Sequence, residues 1–137
     1  MDKKNIISWV LRLTVAIILL QTLYYKFTAH PDSVHIFKEL GVEPWGRIAL
    51  GIMELIIAML ILMPQTQIIG MAGSLGVILG AIFSHFLVLG INVSNDGGGL
   101  FTLALIVFFA STIYLIMHKN EAMTLIKSFK LKVNLNF

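Results

Sequence analysis

Cysteine is missing altogether from the 137 residues. Without a thiol the chain cannot carry out disulfide exchange, ligate an iron–sulfur cluster through thiolates or act as a cysteine nucleophile. Charge is the second shortage. Asp, Glu, Lys and Arg make up 12% of the residues, about half the share of an ordinary soluble domain. The ten Lys and Arg are spread along the chain, so there is no basic stripe of the kind a nucleic-acid surface needs. Proline is scarce too. The prolines stand at 31, 44 and 64, each beside or between apolar runs. No phosphate loop of the GxxxxGK[ST] type, zinc motif, dinucleotide fingerprint or Ser-His-Asp order is present.

What remains is apolar. Hydrophobic residues make up 58% of the chain, and mean hydropathy is +0.90. Four runs are long enough to cross a hydrocarbon layer of ~30 Å at 1.5 Å per residue. They lie at about 6–27, 45–63, 68–89 and 99–117 and occupy most of the sequence. Four such helices keep no polar faces with which to form the surface of a soluble protein. The expected fold is therefore all-α: a membrane-embedded four-helix bundle, a single transmembrane domain over residues 1–137. Lys3 and Lys4 before the first run resemble a signal peptide. The run is long for a signal core, however, and bulky Tyr24-Tyr25-Lys26-Phe27 follows in place of a cleavage site, so the reading is a retained helix.

The connections are uneven. Residues 28–44 predict a short interfacial helix that starts near Pro31, with Asp32 or Ser33 near its cap and Val34, Ile36, Phe37 and Leu40 on its apolar side. Gly41 is expected to end it. Residues 64–67 predict a tight turn and 90–98 a loop of turn formers. The tail at 118–137 is basic; AMTLIKSFK predicts an amphipathic stretch and LKVNLNF, which alternates, an extended one. Lys3, Lys4, Lys119, Lys127, Lys130 and Lys132 fall on one side, against Lys26, Lys38 and Arg47 on the other. The positive-inside rule then places both termini in the cytoplasm and the 28–44 and 90–98 connections outside. Trp9, Tyr24, Tyr25 and Trp45 lie near span ends, as interfacial aromatics do.

Ionisable residues inside the spans are the candidates for function, because charge in a bilayer is costly and faces a partner or a cavity. Arg12 and Lys26 share a face of the first span, about 21 Å apart. Glu54 lies near the middle of the second span, with Arg47 seven residues earlier on nearly the same face. A lone carboxylate at that depth is neutral or paired. The candidate polar centre is Arg12, Lys26, Arg47 and Glu54, with His85 of the third span as a further polar contact or proton relay. The plain alternative is an ion pair, Glu54 with Arg12, that orients two helices. The four histidines lack metal-ligand spacing, and neither a metal nor a cofactor is assigned. On the third span Ala72, Gly76, Gly80 and Ser84 recur every four residues, a stripe that lets a neighbouring helix approach closely. Packing within the bundle is the plain use of it, an oligomer interface or protein partner the other. Asp96 before Gly97-Gly98-Gly99 can cap the fourth span or meet a basic residue. Tyr24, Tyr25, Phe83 and Phe86 can line an isoprenoid cavity or simply mark helix ends.

The order of these pieces resembles the DoxX-like family of small four-helix membrane proteins: Arg12, Tyr25-Lys26-Phe27, Phe37-Lys38-Glu39-Leu40-Gly41, Gly51-Ile52-Met53-Glu54-Leu55 and Asn95-Asp96-Gly97-Gly98-Gly99. The resemblance spans roughly residues 6–117. It implies a bacterial inner-membrane protein and draws attention to Arg12, Lys26 and Glu54. Some members of that family look like subunits of thiosulfate:quinone oxidoreductases, others belong to oxidative-stress complexes, and none of this supplies a reaction here. Three functions follow. The first is a non-catalytic subunit or partner of a membrane complex, quinone-linked on the family's pattern. The second is a binding or transport module for a lipid-soluble molecule such as a quinone. The third is an enzyme using Glu54 and His85 as acid and base.

Overall fold

The computed structural model describes residues 2–136. Six α-helices follow in order: α1 (Lys3–Phe27), α2 (Pro31–Glu39), α3 (Trp45–Leu62), α4 (Gln67–Ser84), α5 (Gly99–Met117) and α6 (Lys119–Leu135), with a one-turn π-helical segment, His85–Leu89, extending α4. The four expected spans correspond to α1, α3, α4 with its π turn, and α5, each long and apolar enough to cross a membrane. The chain is an all-α bundle of membrane-spanning helices.

The packing follows from short connections. Each span packs against its sequence neighbour, and α5 closes the ring on α1. Two ends result. One, the terminal face, carries the start of α1, the 64–67 turn and α6. The other, the loop face, carries α2 and the 90–98 loop. The core holds Val15 and Leu19 of α1, Ile57 and Ile61 of α3, Met71 and Ile78 of α4, and Val107 and Tyr114 of α5. The outward faces carry Ile17, Ile56, Phe109 and Ile116, the apolar coat that lipid requires.

Helix ends differ from expectation in two places. The cap of α2 is His30, whose Nδ1 accepts the Asp32 N–H at 3.2 Å. Pro31 takes the first helical position, where its missing N–H costs nothing, and so puts the cap two residues ahead of Asp32. Gly41, at φ +74°, follows α2 as expected. The tail is the second case. The run LKVNL is the last part of α6 rather than an extended segment. Its alternation is too short to oppose a helix already running from Lys119, and no strand lies beside it among the described residues. Phe137 lies outside them.

The small-residue stripe of α4 faces away from the bundle. Ala72, Gly76 and Gly80 are exposed and Ser84 is half-buried; a Cβ added at Gly76 or Gly80 meets no atom within 4 Å. The expected packing inside the bundle through this stripe is therefore overturned. Close approach is made one face away: a Cβ on Gly70 would lie 2.6 Å from the Ile61 backbone nitrogen. Ser74, fully buried, meets Ser111 of α5 with hydroxyls 2.7 Å apart.

Candidate functional site

Three of the five candidate residues meet near the loop face, between α1 and α3. Thr22 and Lys26 stand one turn apart on α1 and so share a face. Both reach one oxygen of Glu54. Lys26 Nζ lies 2.9 Å from Glu54 Oε2, and Thr22 Oγ1 3.1 Å from the same atom. Thr22 is also 2.8 Å from the Leu19 carbonyl, so its one proton serves either acceptor. The lysine and glutamate side chains are only 12% and 7% exposed. A charge so placed is tolerable because its partner is in contact.

Arg47 completes the arrangement. Its Nε lies 2.9 and 3.0 Å from the two oxygens of Glu43, and its Nη1 donates to the backbone carbonyl of Lys26. Lys26 is thus held twice, by its ammonium to Glu54 and by its carbonyl to Arg47. Two cations and two carboxylates balance in formal charge. Gly51, one turn from both Arg47 and Glu54, allows the approach: a Cβ there would lie 2.8 Å from the Phe27 ring. The chemistry of the cluster is that of a neutral lock between α1 and α3.

Arg12 belongs elsewhere. It is buried near the terminal face, where its Nε donates to the Ile61 carbonyl at 2.8 Å and its Nη2 to the Leu62 carbonyl at 3.0 Å. Its guanidinium also lies 4.1 Å over the Trp9 ring. The expected Glu54–Arg12 pair is not formed. The physical reason is the end of α3 at Leu62: the last carbonyls of a helix lack internal donors and carry its negative dipole end, and Arg12 is placed to supply both needs. Beside it the Tyr114 and His118 rings stack at 4.2 Å. The Tyr114 hydroxyl is enclosed without a hydrogen-bond partner among the described residues.

His85 is buried at the loop face on the α4–α5 side. Its Nδ1 lies 2.7 Å from the Gly90 carbonyl across the π turn. A carbonyl only accepts, so Nδ1 carries the hydrogen. The ring packs edge-on to Phe101. No hydrogen bond joins His85 to Glu54, which the acid–base reading would need; each has its own partners. The neighbouring loop is organised by Asp96. Its Oδ1 accepts from the Val93 and Gly98 N–H groups, its Oδ2 from that of Leu100. Burial alone acts to raise this carboxyl, but the three backbone donors, with His85 nearby, hold it below the usual carboxylate range. The N-cap position of α5 is Gly98; Asp96, two residues earlier, ties the loop to the first turn of α5 through the Leu100 N–H, and meets no basic side chain in an ion pair among the described residues. No three His, Asp or Glu side chains converge as metal ligands among the described residues.

Glu43 and Thr22 were not among the sequence candidates. The four-residue spacings Glu43–Arg47 and Thr22–Lys26 are the signals that point to them. Ser111 and Tyr114 have no such signal, since neither has a Lys, Arg, Asp or Glu one turn away on its own helix.

The model of one protein family, described as methylamine utilisation protein MauE, matches residues 4–98. The match takes in α1 to α4 and the loop with Asp96, and so includes every residue of the Lys26–Glu54 cluster. No curated protein and no solved structure matches the chain.

Proposed function

We propose that this chain, which belongs to the methylamine utilisation protein MauE family, is a non-catalytic subunit of a bacterial inner-membrane complex. The observation that carries this reading is the outward stripe on α4. Glycine within a helix costs about 1 kcal/mol relative to alanine. At Gly76 and Gly80 no described residue uses the space gained. A helix of another protein, or of a second copy, would use it by packing closely along Ala72, Gly76, Gly80 and Ser84. The ionisable groups support the same role. Lys26, Glu54, Arg47 and Glu43 engage one another, and Arg12 engages α3. The DoxX-like resemblance and the lack of any thiol favour a redox complex whose electron carrier, a quinone for instance, is handled by the partner. The terminal-face lysines favour cytoplasmic termini, and the family's description makes methylamine use the first process to test.

The absence of cysteine makes the test clean. A single cysteine at Gly80→Cys, or at the lipid-facing control Ile106→Cys, is cross-linked in native membranes. Gly80→Cys is expected to give one discrete adduct, with another protein or with a second copy, and Ile106→Cys none. Equal labelling at the two positions refutes the subunit reading.

A further inference from the structure

Helix α6 lies outside the residues that the family model matches. It begins at Lys119, two residues after α5 ends at Met117, so it starts at the level where a membrane span stops. None of its residues is buried. At 100° per residue, Ala122, Ile126, Phe129 and Val133 fall within an arc of about 60°. Phe129 is 69% exposed. Lys119 and Lys130 border that arc on one side and Lys132 on the other. Beyond Glu121 every charged residue of the helix is a lysine.

Two sides of α6 border the bundle, one polar and one apolar: Ile126 and Phe129 line an apolar groove with Ile69, an outward-facing residue of α4. Glu121, Thr124, Leu125 and Ser128 line a groove against Gln65 and Gln67 of the 64–67 turn and the start of α4, and Glu121 lies 3.7 Å from Lys4 of α1. A helix that docked on its own protein would turn its apolar arc inward. Here the arc stays unburied, continues the outward apolar surface of α4 at Ile69 and has lysines at both rims. Apolar side chains at acyl-chain level and lysines at phosphate level are the pattern of a helix lying in a membrane surface.

We infer that α6 is an in-plane anchor that docks on the anionic headgroups of the bilayer leaflet at the terminal face. Ile126, Phe129 and Val133 enter the acyl boundary, while Lys119, Lys130 and Lys132 meet lipid phosphates. Each lysine near such a surface strengthens attachment about fivefold, and salt weakens it.

The test uses the full chain with one spin label, at Phe129→Cys or at Asn120→Cys on the opposite face. The proteins are reconstituted in phosphatidylcholine, with and without phosphatidylglycerol. Collision with lipid-soluble oxygen and with a water-soluble nickel complex is measured by power saturation. With phosphatidylglycerol, the label at 129 is expected to gain oxygen access and lose nickel access, while that at 120 stays open to nickel. Lys130→Gln should lower the inserted-to-free ratio at 129 about fivefold. Nickel access at 129 equal to that at 120 in anionic membranes overturns the proposal. So does a label at 129 shielded from both reagents, which would show a protein partner or a second copy on this face.

Discussion

The α1–α3 half of the bundle is held by charge, the α4–α5 half almost without it. Between α1 and α3 lie Lys26–Glu54, the Arg47 bond to the Lys26 carbonyl, and Arg12 on the end of α3. Between α4 and α5 the polar link inside the spans is Ser74–Ser111, and Asp96 gathers backbone donors at the loop. Apolar contact does not distinguish one helix neighbour from another when lipid is equally apolar. A charged pair does, because an unmatched register leaves charges unpaired in the bilayer. The first half therefore sets which helices meet and at what height. The second half follows from short loops and shape.

Removing one member of the charged lock tests this contrast most strongly. Glu54→Leu leaves Lys26 enclosed without a counter-charge, at a cost of about 3–5 kcal/mol. Lys26→Met with Glu54→Leu removes both charges and should recover most of that loss. Equilibrium unfolding in mixed micelles reads both. A double variant no more stable than Glu54→Leu alone would show that the pair does not act as a unit.

The sequence made one part of this lock visible and hid another. Glu54 and Lys26 stood out because each is a charge in an apolar run. Which cation meets Glu54 was hidden, because it depends on the height of α3 against α1. That height follows from the path through α2 and from Arg47 gripping the Lys26 carbonyl, neither of which is written in residue spacing. The α4 stripe was legible as a pattern but not as a direction. Gly70, Gly73 and Ser74 put small residues on a second face, and their contacts with Ile61, Ile57 and Ser111 turn that face inward. The π turn at His85–Leu89 had no sequence signal at all.

Asp96 offers a smaller effect with a pH signature. Its folded pKa lies below its ordinary value, and the unfolded reference is about 3.9. A depressed carboxylate stabilises the fold fully above the unfolded value, and that contribution is lost as pH falls through the folded one. Unfolding below about pH 4 should therefore be steeper in the native chain than in Asp96→Ala. At neutral pH the variant should lose about 1 kcal/mol, the net worth of a typical hydrogen bond. The same acid slope in both proteins would remove Asp96 from the account of the loop.

The smallest expected effect lies at the centre of the uncharged half. Ser74 Oγ lies 2.8 Å from the Met71 carbonyl and 2.7 Å from Ser111 Oγ. Ser74 has one hydroxyl proton. If it goes to the carbonyl, which can only accept, Ser111 must be the donor between the two serines. The two alanine variants are then unequal. Ser111→Ala leaves Ser74 satisfied by Met71, whereas Ser74→Ala strands the Ser111 proton until that side chain turns to a carbonyl of its own helix. Interhelical hydrogen bonds in membranes average about 0.6 kcal/mol, and the coupling from a double-mutant cycle should be of that size. Ser74→Ala should be the costlier single change. A coupling as large as that of Lys26–Glu54 would erase the difference between the two halves, and a coupling of zero would leave α4 and α5 joined by shape alone.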